Sequence, residues 1–263
     1  MLGKWPANYP QALPFHFSDR GFDLRLRNSG LPPARRQLVE RLTYRKWGEL
    51  CFSDLNAAED LLEPAEFQSL LEALYAIPAY SLRLHVGPGA DVAALAKYWG
   101  KGGREKRLAP LLKALSKVPG GESISVTSLL PQFAQMRLYT YPDAWKDPTV
   151  TTQDCFFSAL NFFNETADTN FLNPACVQKT LDSNYAPASD NPVFGDLMIL
   201  MNPELHPIHA CVFIAENFVF TKNGLNPGQP WVLMKLPDIL PTYFAPKKPG
   251  RILCLRSKQL ADF

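Results

Sequence analysis

The feature that most restricts what this chain can fold into is a change in the spacing of its apolar residues at Pro119-Gly120-Gly121. Before that point the spacing is helical. Phe67, Leu70, Leu71 and Leu74 line one face of a segment over 63–75 that Pro78 closes, because proline cannot continue a helical ladder. The same spacing predicts helices over 90–99 and 106–118, divided by Gly100-Lys101-Gly102-Gly103, and another over 34–47 through Leu38, Leu42 and Trp47. The first 33 residues show no sustained helical period and read as an irregular arm or short strands. After Gly121 one helix, at about 154–165, precedes short apolar runs at 194–201, 208–215, 218–222 and 251–256, with turn residues between them. A helix ahead of antiparallel strands is an α+β arrangement. The expected organisation is a mainly helical N-terminal domain, 1–120, and a domain at 121–263 in which a helix packs on an antiparallel sheet.

Charge and composition exclude several function classes. The 27 Lys and Arg nearly balance the 25 Asp and Glu, a net charge of +2, so no global field draws the protein to nucleic acid, and no nucleic-acid partner is expected. Lys101, Arg104, Lys106 and Arg107 cluster locally, but Gly100-Lys101-Gly102-Gly103 does not match a phosphate-binding loop, and they read as a solvated helix end. No apolar run approaches the ~20 residues that span a bilayer, so no integral membrane segment is expected. The start, MLGKWPANYP, lacks the apolar stretch of a secretory signal, which leaves a cytoplasmic protein or a chain that begins after a removed leader. Cys51, Cys155, Cys176, Cys211 and Cys254 are scattered without a C-x-x-C pair, and their odd number leaves at least one thiol outside any intramolecular disulfide. His206, His209 and Cys211 have no further group spaced to complete a metal site, so neither metal nor cofactor is expected.

One of those thiols stands in a position that suits chemistry. Asp154 is a good N-cap, which puts Cys155 in the first turn of the helix that continues through Phe156, Leu160 and Phe163. Unpaired N–H groups and the helix dipole favour an anion there, and helix N-termini bring thiol pKa values from ~8.5 down into roughly the 3.5–7.5 range. The competing reading, Cys155 as a small buried apolar residue, is the common fate of free cysteine. His209 opens the strand at 208–215, whereas His206, between Leu205 and Pro207, falls in a loop and is the rival base.

Asp154-Cys155 at a helix start, Gly195-Asp196-Leu197 on a later strand and His209 on the next one occur in the order seen in the bacterial NlpC-like branch of the papain-like cysteine peptidases. The stretch 153–223 resembles that family. Phe156-Phe157 stand where the family has Ser-Gly, and Cys211 where it has Gly, differences that bear on the shape of the substrate pocket. The resemblance implies a papain-like fold in which Cys155 attacks an amide carbonyl and His209 takes the thiol proton. A third polar group fixes the imidazole tautomer in such sites. Asn223 is the preferred candidate and Thr221, nearer the family's position, the alternative; Asn223-Gly224 is also a hairpin-turn signal. Asp154 and Trp231 are candidates for substrate contact, and Tyr139 and Tyr141 for core or cleft positions. The implied substrate is a cell-wall stem peptide and the implied location periplasmic or extracellular. An acyltransferase or amidase with the same dyad, and a catalytically silent binding module, are the alternatives.

Overall fold

The structure is a computed structural model that describes residues 15–46, 48–142, 153–188, 191–225, 228–244 and 250–260. By packing it divides into two compact units, Met1–Ile77 and Pro78–Phe263.

The first unit begins with strand β1 (Phe15–Phe17) and helix α1 (Asp19–Asn28), followed by α2 (Pro33–Glu40), β2 (Thr43–Lys46), β3 (Glu49–Phe52), α3 (Leu55–Leu61) and α4 (Pro64–Leu74). Helix α1 lies where no helical period is visible. Only Phe22 and Leu26, one turn apart, are buried, and the Ser18 hydroxyl starts the helix by accepting the Gly21 N–H. The segment read as one helix over 34–47 is divided: α2 stops at Glu40 and β2 follows, while Trp47 lies outside the described residues. β1, β3 and β2 form an antiparallel sheet, so this region is more mixed than its helical period suggests. Helix α4 opens with a reciprocal capping box between Glu63 and Glu66. At its other end the Arg25 guanidinium donates to the carbonyls of Ala73, Leu74 and Ala76 at 2.8, 3.1 and 2.9 Å, groups that a helix end leaves without partners.

The second unit starts well before Gly121. It contains β4 (Arg83–Val86), α5 (Val92–Trp99), α6 (Glu105–Ser116), β5 (Glu122–Ser125), α7 (Gln132–Arg137), α8 (Cys155–Leu160), α9 (Pro174–Asn184), β6 (Tyr185–Pro187), β7 (Leu197–Met201), β8 (Pro207–Ala215), β9 (Phe218–Lys222), β10 (Trp231–Lys235), α10 (Leu236–Tyr243) and β11 (Arg251–Ser257). The fold is α+β with antiparallel sheets. Its main sheet has the order β10-β9-β8-β7-β11-β6. Helices α5 and α6 belong with this sheet because the apolar face they share, Ala96, Trp99, Leu108 and Leu112, is covered by the core that also holds Phe157, Phe194, Val212 and Trp231. Trp99 and Phe194 rings meet at 5.2 Å, and the Tyr98 hydroxyl donates to the Ile214 carbonyl at 2.8 Å.

Lys106 and Arg107 are exposed in the first turn of α6, a solvated helix end, whereas Lys101 and Arg104 are drawn into a structural turn. Gly102, at φ +74, leaves so little room that a Cβ there would come within 2.8 Å of the Phe163 ring. The Arg104 guanidinium donates to the carbonyls of Trp99, Lys101 and Leu129, and burial pushes it down to about 10. Strands β6 and β10 and helices α9 and α10 have no counterpart in the apolar periodicity. Helix α9 does have a local signal, Asn173 accepting from Ala175 N–H ahead of Pro174.

Candidate functional site

Helix α8 begins at Cys155, and Asp154 caps it, its carboxylate accepting the Phe157 N–H at 2.8 Å. The helix is shorter than its apolar spacing suggests because Asn161 ends it. The Asn161 amide donates to the Phe157 and Asp168 carbonyls, and its oxygen accepts the Asp168 N–H and the Asn164 amide, which turns the chain away. Helix α8 packs on β8 and β9.

The ladder between those two strands is short. Their ladder pairs Ala215 with Phe218, Phe213 with Val219 and Val212 with Phe220, and ends there. Beyond that point the Ala210 N–H and the charge of Lys222, from the facing strand, both favour the ionised form of the Cys155 thiol. Cys155 therefore lies against the residue that follows His209. The thiol is 7% exposed, and loss of hydration, followed by the charge of Asp154, pushes it up to about 12. The Ala210 and Phe156 N–H groups and Lys222 pull the other way. This reverses the lowering expected of a helix start: α8 is six residues long, and its small dipole is outweighed by desolvation of the sulfur.

His209 is fully buried on β8, opposite Leu200 of β7. Its Nε2 lies 3.0 Å from the Thr221 hydroxyl oxygen, and that hydroxyl lies 3.1 Å from Oδ1 of Asn223. Oδ1 only accepts, so the single hydroxyl proton goes to Asn223, and Thr221 must accept from His209. The neutral imidazole is thereby held as the Nε2–H tautomer. Its Nδ1 carries the lone pair, and that atom is buried without a hydrogen-bond partner. Burial lowers the pKa of His209 to about 3, so the ring is an uncharged acceptor at neutral pH. The Tyr243 ring, from α10, stacks on the imidazole at 4.2 Å and 17°.

The order of the third and fourth groups is the reverse of the sequence preference. Thr221 touches the imidazole, and Asn223 stands behind Thr221, its amide donating to Met234 Sδ at 3.2 Å. The turn signal belongs to Gly224, at φ +106, while Asn223 is not left-handed. For a hydrolase of the kind the resemblance of 153–223 implies, Thr221→Val, which keeps the shape and removes the hydroxyl, is expected to lower turnover about tenfold to hundredfold by releasing the tautomer, and Asn223→Ala to lower it less. Steady-state rates of the two folded variants check this; an Asn223→Ala loss larger than that of Thr221→Val would reverse the assignment.

The remaining candidates separate. Asp154 serves as the helix cap. Trp231 is 1% exposed, its indole donates to the Ser158 hydroxyl at 2.8 Å, and the Arg137 guanidinium covers its ring at 4.6 Å. It anchors α8 to β10 and offers no face to a substrate. His206 is exposed on the loop before β8. Tyr139 is 41% exposed and left-handed at φ 62, and its hydroxyl donates to the Tyr80 carbonyl at 2.5 Å; Tyr141 is half-buried. Among the described residues no three His, Cys, Asp or Glu side chains converge on a metal site.

Two side chains of the site escape sequence reasoning. Lys222, a charged residue at the end of an apolar run, is fully buried. Tyr243 falls in a proline-rich stretch without strand or helix period, and nothing local ties it to His209. Neither a scan against protein-family models nor a search of curated proteins finds a match for this sequence.

Proposed function

We propose that the unit at 78–263 is a papain-like cysteine hydrolase that cleaves amide bonds through a thioacyl intermediate. The observation that supports this reading is the chain from Asn223 through Thr221 to His209, which leaves the basic Nδ1 of a neutral imidazole buried and unpaired on the strand whose next residue, Ala210, acts on the Cys155 thiol. In the reaction the Cys155 sulfur bonds to the carbonyl carbon while its proton passes to His209 Nδ1. That proton then leaves on the departing amine as the C–N bond breaks, and water, deprotonated by the same nitrogen, cleaves the thioester. Thr221 accepts from the Nε2–H throughout and keeps the ring in place as it becomes charged.

The substrate class, a stem peptide of the cell wall, and a site of action outside the cytoplasm follow from the sequence resemblance of 153–223. Incubation of the protein with purified peptidoglycan and mass spectrometry of the soluble products is expected to reveal new peptide termini at one bond type. Unchanged peptidoglycan alongside cleavage of other amides would remove the substrate class and keep the chemistry.

One observation favours a second reading, a catalytically silent binding module: both dyad residues are buried, and Tyr243 covers the imidazole. Under that reading Cys155 is inert to iodoacetamide near neutral pH. Under the hydrolase reading it is alkylated in step with loss of activity, as Tyr243 moves aside to admit the reagent.

A further inference from the structure

Helix α9 packs beside β6 and touches the core through the partly buried Val177 and Leu181, yet it has no buried residue. Beneath it lies a cavity of about 450 Å³. Its apolar walls are Leu181 of α9, Ile199 and Met201 of β7, and Leu253 and Leu255 of β11. The four strand residues share one face of the main sheet, because residues two apart on a strand point the same way and the ladder sets Ile199 beside Leu253. Interiors are close-packed, so aliphatic walls around a gap of this size lack partner atoms on one side. Cavities of roughly 300–1,000 Å³ with apolar walls and few polar groups are the usual form of a small-molecule site.

The two ends of the cavity differ. Tyr185 and Pro187 of β6 line one of them. At the other, where Met201 pairs with Pro207, Leu205 lines the cavity and is 54% exposed. Leu205 is left-handed at φ 63, in a turn closed by its N–H on the Asn202 carbonyl at 2.9 Å and by the His206 N–H on the Asn202 side-chain oxygen at 2.7 Å. A cation stands at this open end. Arg251 is the ladder partner of Met201 and, by alternation, shares the face of Leu253 and Leu255. It is exposed and, among the described residues, makes neither an ion pair nor a hydrogen bond. Asp182, the carboxylate on the α9 side of the cavity, is instead engaged by the Gln178 amide at 2.8 Å. The row from Arg251 to Leu255 is ~14 Å long, a charged group at one end and aliphatic side chains along the rest.

The geometry points to a binding site for a medium-chain aliphatic carboxylate, with its chain laid in the cavity under α9 and its carboxylate on the Arg251 guanidinium. An arginine fork matches a carboxylate in shape and charge, and the aliphatic walls take a chain that has no polar group to satisfy. A peptide strand fits this face poorly. Strands β7 and β11 are paired on both sides, so they offer no edge to its backbone, and the walls leave its amides without partners. The site is separate from the Cys-His pair and stands whether or not the chain is a hydrolase.

Calorimetric titration of the full wild-type chain with hexanoate, octanoate, decanoate and dodecanoate is expected to show one saturable site per molecule. Affinity should rise about three- to fourfold with each added methylene and level off once the chain outgrows the cavity. The alcohol of the same length should bind about tenfold more weakly than the carboxylate. Arg251→Gln is expected to abolish that preference and leave the alcohol unchanged. Leu253→Trp, at a 38% exposed position, fills the cavity and should weaken carboxylate and alcohol alike by about tenfold or more. Circular dichroism shows that each variant is folded, and the comparison of chain lengths and head groups in the wild type needs no variant at all. Absence of saturable binding, equal affinity for carboxylate and alcohol, or wild-type affinity in a folded Leu253→Trp protein overturns the proposal. So does sedimentation with phosphatidylglycerol vesicles without binding of any soluble carboxylate, which would make the patch a contact for lipid surfaces.

Discussion

Cys155→Ala is expected to lower turnover by about 10⁴-fold or more while the second unit stays folded, and His209→Gln to do nearly the same. The alanine removes one sulfur atom from a 7% exposed position in the first turn of α8, where the Asp154 cap and the Phe157 contacts persist, so the cost in stability is about 1 kcal/mol. Glutamine at 209 can still donate to Thr221 but carries no basic nitrogen. Groups that act as one unit are strongly non-additive: with either member gone, the other has nothing to activate or to deprotonate. The double variant should therefore be no slower than Cys155→Ala alone. Turnover on the cleaved substrate and far-ultraviolet circular dichroism of all three proteins decide the matter. A folded His209→Gln protein within tenfold of wild type would leave Cys155 without its base, and a folded, fully active Cys155→Ala protein would end the hydrolase reading.

The second large effect concerns stability and a motif that looks catalytic. Asp196, of Gly195-Asp196-Leu197, is buried, and its carboxylate takes two hydrogen bonds from the Arg256 guanidinium, at 2.9 and 2.7 Å, and a third from the Val193 N–H at 2.9 Å. It ties the start of β7 to β11, across which Leu197 pairs with Leu255. Asp196→Ala leaves a donor N–H and a partly buried guanidinium without their acceptor, a loss of about 3 kcal/mol. For a unit of this size that corresponds to a fall in melting temperature of roughly 6–12 °C. Catalytic rate per folded molecule should hold, since Asp196 belongs to the sheet and touches neither Cys155 nor His209 through a hydrogen bond. Differential scanning calorimetry with active-site titration separates the two quantities, and a melting temperature within about 2 °C of wild type would show that the ion pair contributes little.

Much of this was legible in the residues because the signals are local. Asp154 ahead of Cys155 names a capped helix start; the runs ending at Met201, Ala215 and Lys222 name strands as short apolar stretches between turn residues; α4, α5 and α6 follow from apolar spacing. Signals of the same kind were present for α1 and α9, in Ser18 and in Asn173-Pro174, but caps without a long apolar stripe stand out less. Where two structures share one pattern, as at 34–46, spacing alone does not divide helix from strand.

The sequence by itself determined the α+β class, the capped cysteine, the histidine on the strand and the short list of polar residues behind it. Tertiary structure decided the rest. It moved α5 and α6 into the second unit, because an amphipathic face shows that it must be covered but not by what. It put Thr221 before Asn223, since which oxygen reaches an imidazole depends on how two strands separate in space. It buried Lys222 and stacked Tyr243 on His209, contacts between residues distant along the chain that leave no mark on local pattern. It also reversed the expected shift of Cys155, because a helix terminus is read from neighbours in sequence, whereas the water lost around a sulfur depends on everything that packs against it.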